Sequence, residues 1–333
     1  MSNISFNKKK IIKVLLQLLV SSLLIFVLLR QIQMKDFIEL LKKVRLSTIV
    51  LGLSFYLLIY VFRTLRFKVL LSKKIGFFRL INILLVHGFF NRAMPLRLGE
   101  LSYIYLMKNM HDIDVSESTF AILYVRLYDL LSTVSIFIIF SLIILSSSIN
   151  VYIYLLILGL LLTILLLFPK IINIIYNLLQ NKGLPNFIEK FISKERILSN
   201  IENVYKLNKK ANSIKNIMKM FTYSIGVWSC FYIIFYFLII DFGYNINLSK
   251  VILGATFSNL TSILPVSGLG NFGTMEAGWT LGFMMMGYPK NIAIMTGFGV
   301  NLFTFSSILI FGSISIIILL LRKNIIIKKE RGL

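Results

Sequence analysis

From Ile292 to Leu321 the chain runs for 30 residues without one charged side chain. A helix crosses a bilayer with about 20 consecutive apolar residues, so this stretch alone is long enough to span. Predominantly apolar stretches of similar character recur at Ile11–Leu29, Leu46–Phe62, Ser116–Leu145 (which carries Arg126 and Asp129), Val151–Phe168 and Phe221–Ile240. These segments predict an all-α polytopic membrane protein with about six transmembrane helices. Composition agrees. Hydrophobic residues make up 57% and charged residues 15%, against about 25% charged in a soluble domain. Mean hydropathy is +0.85. These values exclude a soluble enzyme, a disordered chain and a fibrous repeat. The single cysteine, Cys230, excludes an internal disulfide framework. With only two histidines beside it, no His/Cys zinc cluster, and no metal or cofactor, is expected.

The formal net charge is +23, from 36 Lys and Arg against 13 Asp and Glu. In a soluble protein that would suggest nucleic acid. Here the bases gather beside the spans, as in cytoplasmic loops of membrane proteins, and no nucleic-acid partner is expected. Arg63, Arg66, Lys68, Lys73, Lys74 and Arg79 follow the second span with no acid among them. The stretch 169–219 is polar and basic, and Arg322, Lys323, Lys328, Lys329 and Arg331 close the chain. All three are expected on the cytoplasmic side, which places both termini there. Such loops attract anionic headgroups at about 1 kcal/mol per basic residue. Lys8, Lys9 and Lys10 before Ile11–Leu29 resemble a signal peptide, but the apolar run is too long and lacks a small-residue cleavage site. It reads as an uncleaved first span, followed by a short polar connection, Asp36–Arg45.

Two places break the pattern. Leu80–Phe90 is apolar but too short to span; Asn91-Arg-Ala-Met-Pro95-Leu-Arg97-Leu-Gly99-Glu100 follows, then a second short piece, Leu101–Met107. Val251–Leu264 runs likewise into Pro265-Val-Ser-Gly268-Leu-Gly270-Asn-Phe-Gly273-Thr-Met-Glu276 and then Ala277–Met286. Irregular backbone cannot face lipid, so each break must be buried in protein or line a cavity. Both read as re-entrant hairpins, about 80–107 and 251–286. Each has an Asn before the break (Asn91, Asn259), a Pro (Pro95, Pro265), glycines, and a Glu opening the next helix (Glu100, Glu276). Counting charges, the first enters from the cytoplasm and the second from outside. That is the signature of an inverted repeat, whose broken segments meet near the midplane and form a transport site. Generic turn chemistry could also make the two alike.

Gly268-Leu-Gly270-Asn-Phe-Gly273 spells G-x-G-x-x-G. A dinucleotide site needs a preceding buried strand and an acid about 20 residues on. The preceding segment is a membrane piece, and Ala277–Leu321 holds no acid. The glycines instead permit positive φ and close helix approach. Thr274 is placed to cap the following helix, with Glu276 in its first turn. Arg97 and Glu100 lie three apart, as do Arg126 and Asp129, a spacing that puts each pair on one helix face. Ionised groups inside the bilayer cost about 2.5–3.5 kcal/mol each even on the mild scale, so they pair or line water. Glu276 is expected to find Arg126 or Arg97. Arg97, Glu100, Arg126, Asp129 and Glu276 are then either a midplane site for a charged headgroup, with Arg suited to phosphate, or a structural ion-pair network. Asp112-Ile-Asp114 reads as a solvated loop. Trp228 and Trp279 are expected at the lipid face or interface.

With both breaks in hand, the chain resembles the lysylphosphatidylglycerol synthase transmembrane region, or flippase-like domain, family. The resemblance rests on Pro95-Leu-Arg97-Leu-Gly99-Glu100, Arg126-Leu-Tyr-Asp129, Leu264-Pro265 through Gly270, Phe272-Gly273-Thr274 and Glu276-Ala-Gly278, and covers most of the chain, from about Phe6 to Lys323. The family often has an Arg shortly after the first Glu, where this chain has Tyr103 and Tyr105. The resemblance implies a single membrane domain, 1–333, that moves or presents phospholipid between the leaflets of a prokaryotic cell membrane. Anionic or aminoacylated phospholipid is the implied ligand. In two-part members a cytoplasmic C-terminal domain transfers lysine from lysyl-tRNA to phosphatidylglycerol. This chain stops at Leu333, so that half is expected to be absent, and a separately encoded transferase is a conceivable partner. The lysyltransferase itself, a membrane subunit of such an enzyme, and a small-solute transporter are the alternatives. No G-x-x-x-x-G-K-[ST] motif is present, so any transport is passive, ion-coupled or driven by another chain.

Overall fold

The computed structural model describes residues 26–28, 30–94, 99–144, 194–263 and 269–330, with short stretches between 159 and 178. Every element among them is helical. In chain order they are α1 Met34–Lys42, α2 Leu46–Leu70, α3 Phe77–Ala93, α4 Gly99–His111, α5 Val115–Ile144, α6 Lys194–Ala211, α7 Ile214–Asp241, α8 Leu248–Ile263, α9 Thr274–Met285 and α10 Lys290–Glu330.

Four of them are long and apolar enough to cross a membrane: α2, α5, α7 and the stretch Lys290–Leu321 of α10. The shortest, α2, has 25 residues. At 1.5 Å rise per residue it extends about 38 Å, more than the ~30 Å hydrocarbon layer. The chain is thus a multi-pass all-α membrane protein. The two other expected spans, Ile11–Leu29 and Val151–Phe168, lie almost wholly outside the described residues. Two boundaries differ from expectation. The second span does not stop at Phe62 but continues to Leu70, carrying Arg63, Arg66 and Lys68 in helix rather than in a loop. The span expected from Phe221 begins at Ile214 and takes in Lys215 and Lys219. A helix with an apolar face tolerates bases near its end because their long stems cover apolar surface.

The two expected hairpins are pairs of short helices. α3 and α4 have 17 and 13 residues, α8 and α9 have 16 and 12. At about 25 Å or less, none reaches across the hydrocarbon layer alone.

The chain packs as two compact units. The first gathers the described residues up to Ile59, Asn82–Ser102 and Ser229–Leu333. In it α8 and α9 run antiparallel in backbone contact: a Cβ on Gly282 would lie 2.2 Å from the Gly254 carbonyl oxygen. Small residues let helix backbones approach this closely. Trp279 of α9 is fully buried, stacked on Phe283 with ring centroids 4.5 Å apart, and its indole N–H donates to the Thr296 hydroxyl of α10 at 3.2 Å. It is a core residue, contrary to the interfacial role expected from its type. Arg45 clamps the buried Asp241 carboxylate with its Nε (2.7 Å) and backbone N–H (2.9 Å), joining the start of α2 to the end of α7. Those ends therefore share a side, and α2 and α7 run antiparallel.

The second unit holds Tyr60–Ile81 and Tyr103–Trp228. Arg66 of α2 donates to the Asp129 carboxylate of α5 and, at 2.9 Å, to the Ser224 hydroxyl of α7. Glu117 at the start of α5 accepts from the Ser72 backbone N–H (2.6 Å) and hydroxyl (2.7 Å). The basic stretch between spans is anchored here as well. Asn212 accepts from the Tyr124 hydroxyl at 2.9 Å, and Lys210 donates to the Leu71 carbonyl at 2.6 Å. Asp112 is an exposed turn residue paired with Lys108 at 2.8 Å. The adjacent lysine holds its carboxyl below the usual range.

Candidate functional site

The second break is built on left-handed backbone. Gly270 has φ 63°, Asn271 φ 60° and Gly273 φ 87°. An L side chain is strained in that region, so glycine is the economical residue at two of these positions. At Gly270 space forbids a side chain as well, since a Cβ would lie 2.6 Å from the Phe272 ring. Gly273 is the residue that caps α9, and having no side chain it cannot satisfy the free N–H groups at that end. Glu276, three residues on, reaches back instead: its Oε2 accepts from the Gly273 N–H at 2.7 Å. Thr274 is not the cap. It is the first helical residue, and its hydroxyl donates back to the Asn271 carbonyl at 3.1 Å.

Glu276 is 0% exposed. Its other oxygen, Oε1, accepts from the Asn301 side-chain amide at 2.8 Å. Asn301 is itself fully buried, on α10, and its Oδ1 accepts from Arg92 Nη1 at 2.8 Å. The same Nη1 donates to the Gly270 carbonyl at 3.1 Å. Arg92 sits in the last turn of α3, just before the first break. A single guanidinium thus ties the end of the first hairpin's leading helix to the turn of the second, within one compact unit. Neighbouring polar groups are bonded within the same unit. Ser258 of α8 donates to the Met275 carbonyl at 3.0 Å, and Asn259 donates to the Tyr232 hydroxyl at 3.4 Å.

The first break closes tightly. A Cβ on Gly99 would lie 2.3 Å from the Asn91 backbone nitrogen, so the start of α4 rests on the end of α3. His87 Nδ1 lies 2.8 Å from the Gly99 carbonyl, and the Ser102 hydroxyl donates to that carbonyl at 2.6 Å. Asn91 Oδ1 is buried with no hydrogen-bond partner among the described residues. Glu100 stands in the first turn of α4, half-buried. Pro95 and Arg97 of the first break, and Pro265 and Gly268 of the second, lie outside the described residues.

The structure therefore brings Glu276, Gly270 and Gly273 into one network with two residues outside the sequence expectation, Arg92 and Asn301, while Thr274 opens α9 beside it. Among the described residues the cation linked to Glu276 is Arg92, through Asn301; Arg97, expected as a partner alongside Arg126, lies outside the described residues. Asp129 belongs to the second unit and is held by Arg66, which the sequence reading had assigned to a cytoplasmic loop; Arg66 is 1% exposed. Arg126 stands on the same helix, three residues before Asp129.

The profile of the lysylphosphatidylglycerol synthase TM region family matches residues 14–312, and the chain belongs to that family. No curated protein and no solved structure matches the chain.

Proposed function

We propose that this family member is a phospholipid translocase of a prokaryotic cell membrane, acting on anionic or aminoacylated phospholipid, with the polar network at the two breaks as the point where the headgroup passes. The observation that carries the reading is the tie from Arg92 to Gly270 and Asn301. Both acceptors are neutral. A lipid phosphate is a charge-assisted acceptor, roughly twice as strong, and matches the guanidinium fork. A headgroup arriving at Arg92 would therefore compete with Gly270 and Asn301 and separate the two breaks. Arg97 within the first break and Glu100 at its end would contact the same headgroup. Arg126 and Asp129 are the candidates in the second unit. Family membership supports a lipid-related role, and broken helices that meet are the usual architecture of a transport site.

The test is reconstitution of the full chain in liposomes, following transbilayer movement of a labelled anionic phospholipid. Wild-type protein should accelerate movement over protein-free vesicles, and Arg92→Ala should slow it several-fold. Movement at the protein-free rate would overturn the reading. If the same preparation made lysylphosphatidylglycerol from lysyl-tRNA and phosphatidylglycerol, the enzyme alternative would replace it.

A further inference from the structure

We propose that Glu276 is the site of a coupling proton, and that the Asn301 amide converts its protonation into release of Arg92. The proposal rests on the translocase reading and supplies its energy source.

The amide stands between two groups of fixed hydrogen-bonding sense. A guanidinium only donates, and an ionised carboxylate only accepts. With Glu276 ionised, Asn301 has one workable orientation, its NH2 towards Glu276 at 2.8 Å and its Oδ1 towards Arg92 at 2.8 Å. Once Glu276 takes a proton, its Oε1 becomes a donor. The acid O–H then donates to Asn301 Oδ1 after the amide turns over, and the NH2 faces Arg92. Two donors now oppose each other, and Arg92 loses the Asn301 half of its hold on the second break. The Gly273 N–H bond to Oε2 persists in both forms, so the carboxyl stays in place while the amide reports its state. The Arg92 Nη1 position that loses its Asn301 acceptor on protonation is the one that a phosphate would engage. Proton uptake and headgroup capture are thus made favourable together.

The charged surroundings support the assignment. α3 brings Arg92, and α7 brings the Tyr232 hydroxyl, which meets Asn259 and Thr256 of α8 rather than Glu276. α8 and α10 offer neutral Ser258, Asn259 and Asn301 among the described residues around Glu276. Among the described residues, Arg92 reaches the carboxylate through the amide. A direct Arg–Glu pair would lock the charged form, whereas this relayed arrangement leaves the proton exchangeable. The proton comes from water on one side of the membrane, converts carboxylate to carboxylic acid, and leaves to water on the other side.

The experiment uses the reconstituted full chain with a pH gradient imposed across the vesicle. Wild-type lipid movement should change several-fold when the gradient is reversed, with proton flux, read by a trapped pH dye, rising with lipid. Glu276→Gln carries a neutral, donating amide, and any movement that it supports should be blind to the gradient. Asn301→Leu should behave likewise while keeping the titratable carboxyl. Infrared difference spectra of wild-type protein on acidification should show a carboxylic C=O band that Glu276→Gln removes. Accelerated but gradient-blind movement in wild type would overturn the coupling and leave the translocase reading intact. Movement at the protein-free rate would overturn the translocase reading, and the infrared band alone would then decide whether Glu276 takes a proton. Should Glu276→Gln fail to fold, the wild-type gradient response and the Asn301→Leu infrared titration decide the matter.

Discussion

Gly282→Ala should destabilise the protein through one identifiable contact. The added Cβ would stand 2.2 Å from the Gly254 carbonyl oxygen, 2.9 Å from its carbon and 3.0 Å from its Cα. Contacts below about 3.4 Å are tighter than packed groups tolerate, and the obstacle is helix backbone, which cannot rotate aside. α9 must therefore back away from α8 by roughly 1 Å. Overpacking of this kind costs about 1–3 kcal/mol, and a backbone obstacle argues for the upper end. Alanine regains about 1 kcal/mol of helix propensity over glycine, so the net loss should be about 2 kcal/mol. Gly254→Ala is the internal comparison. Its Cβ would meet the Phe283 ring at 2.7 Å, a side chain that can shift at the expense of its stacking on Trp279, so the cost should be smaller. Gly159→Ala meets nothing within 4 Å and should be neutral or stabilising. Thermal unfolding in detergent, followed by size exclusion, should rank the variants Gly282→Ala, Gly254→Ala, Gly159→Ala from least to most stable. A Gly282→Ala protein as stable as wild type, or more stable than Gly254→Ala, would refute the backbone-contact argument. The displacement also predicts lost lipid movement, because Glu276 rides on α9 while Asn301 does not.

Asp129→Asn should cost about 3–5 kcal/mol, because it leaves the buried Arg66 charge without its carboxylate; the Arg66→Met, Asp129→Leu double variant should recover most of that loss in the same unfolding assay. Cysteines placed at Lys74 and at Asn245, both exposed, should report opposite sides of the membrane in a Cys230→Ser background. An impermeant thiol reagent on intact cells should label Asn245→Cys and spare Lys74→Cys, and the reverse result would invert the topology.

Sequence reading located the helices and breaks because their signals are local. Thirty uncharged residues from Ile292 to Leu321 need no partner to declare a span, and Gly270 and Gly273 declare a turn through their own backbone freedom. Partner choice is different, since it depends on which helices meet. Arg66 counted as one more base in an acid-free run, yet α2 continues a further two turns and delivers it to Asp129, 63 residues away. Asn301 carries no charge and sits within a long apolar segment, so it offered only an unexplained polar residue in a span. Polar residues in spans tend to face protein rather than lipid, and that was the available clue. Arg97 is distinguished in sequence by its spacing of three to Glu100, whereas Arg92 has no such local acid; helix α3 extends to Ala93 and makes Arg92 its terminal anchor.

The two charged networks differ in a way that bears on their roles. Arg66 and Asp129 meet directly, and removing the carboxylate strands the buried Arg66 charge, so that pair is suited to holding three helices in one arrangement. Glu276 and Arg92 do not meet; a neutral amide stands between them, and each keeps a second bond to the second break's backbone, at Gly273 and Gly270. Such a relay has two self-consistent states that differ by one proton and one amide rotation, with no loss of the helix cap that positions the carboxyl. A moving part needs that property: two discrete arrangements close in energy, rather than one deep minimum. The direct pair fixes the helices of the second unit, and on the proposed mechanism the relayed pair is what lets the junction of the two breaks open and close.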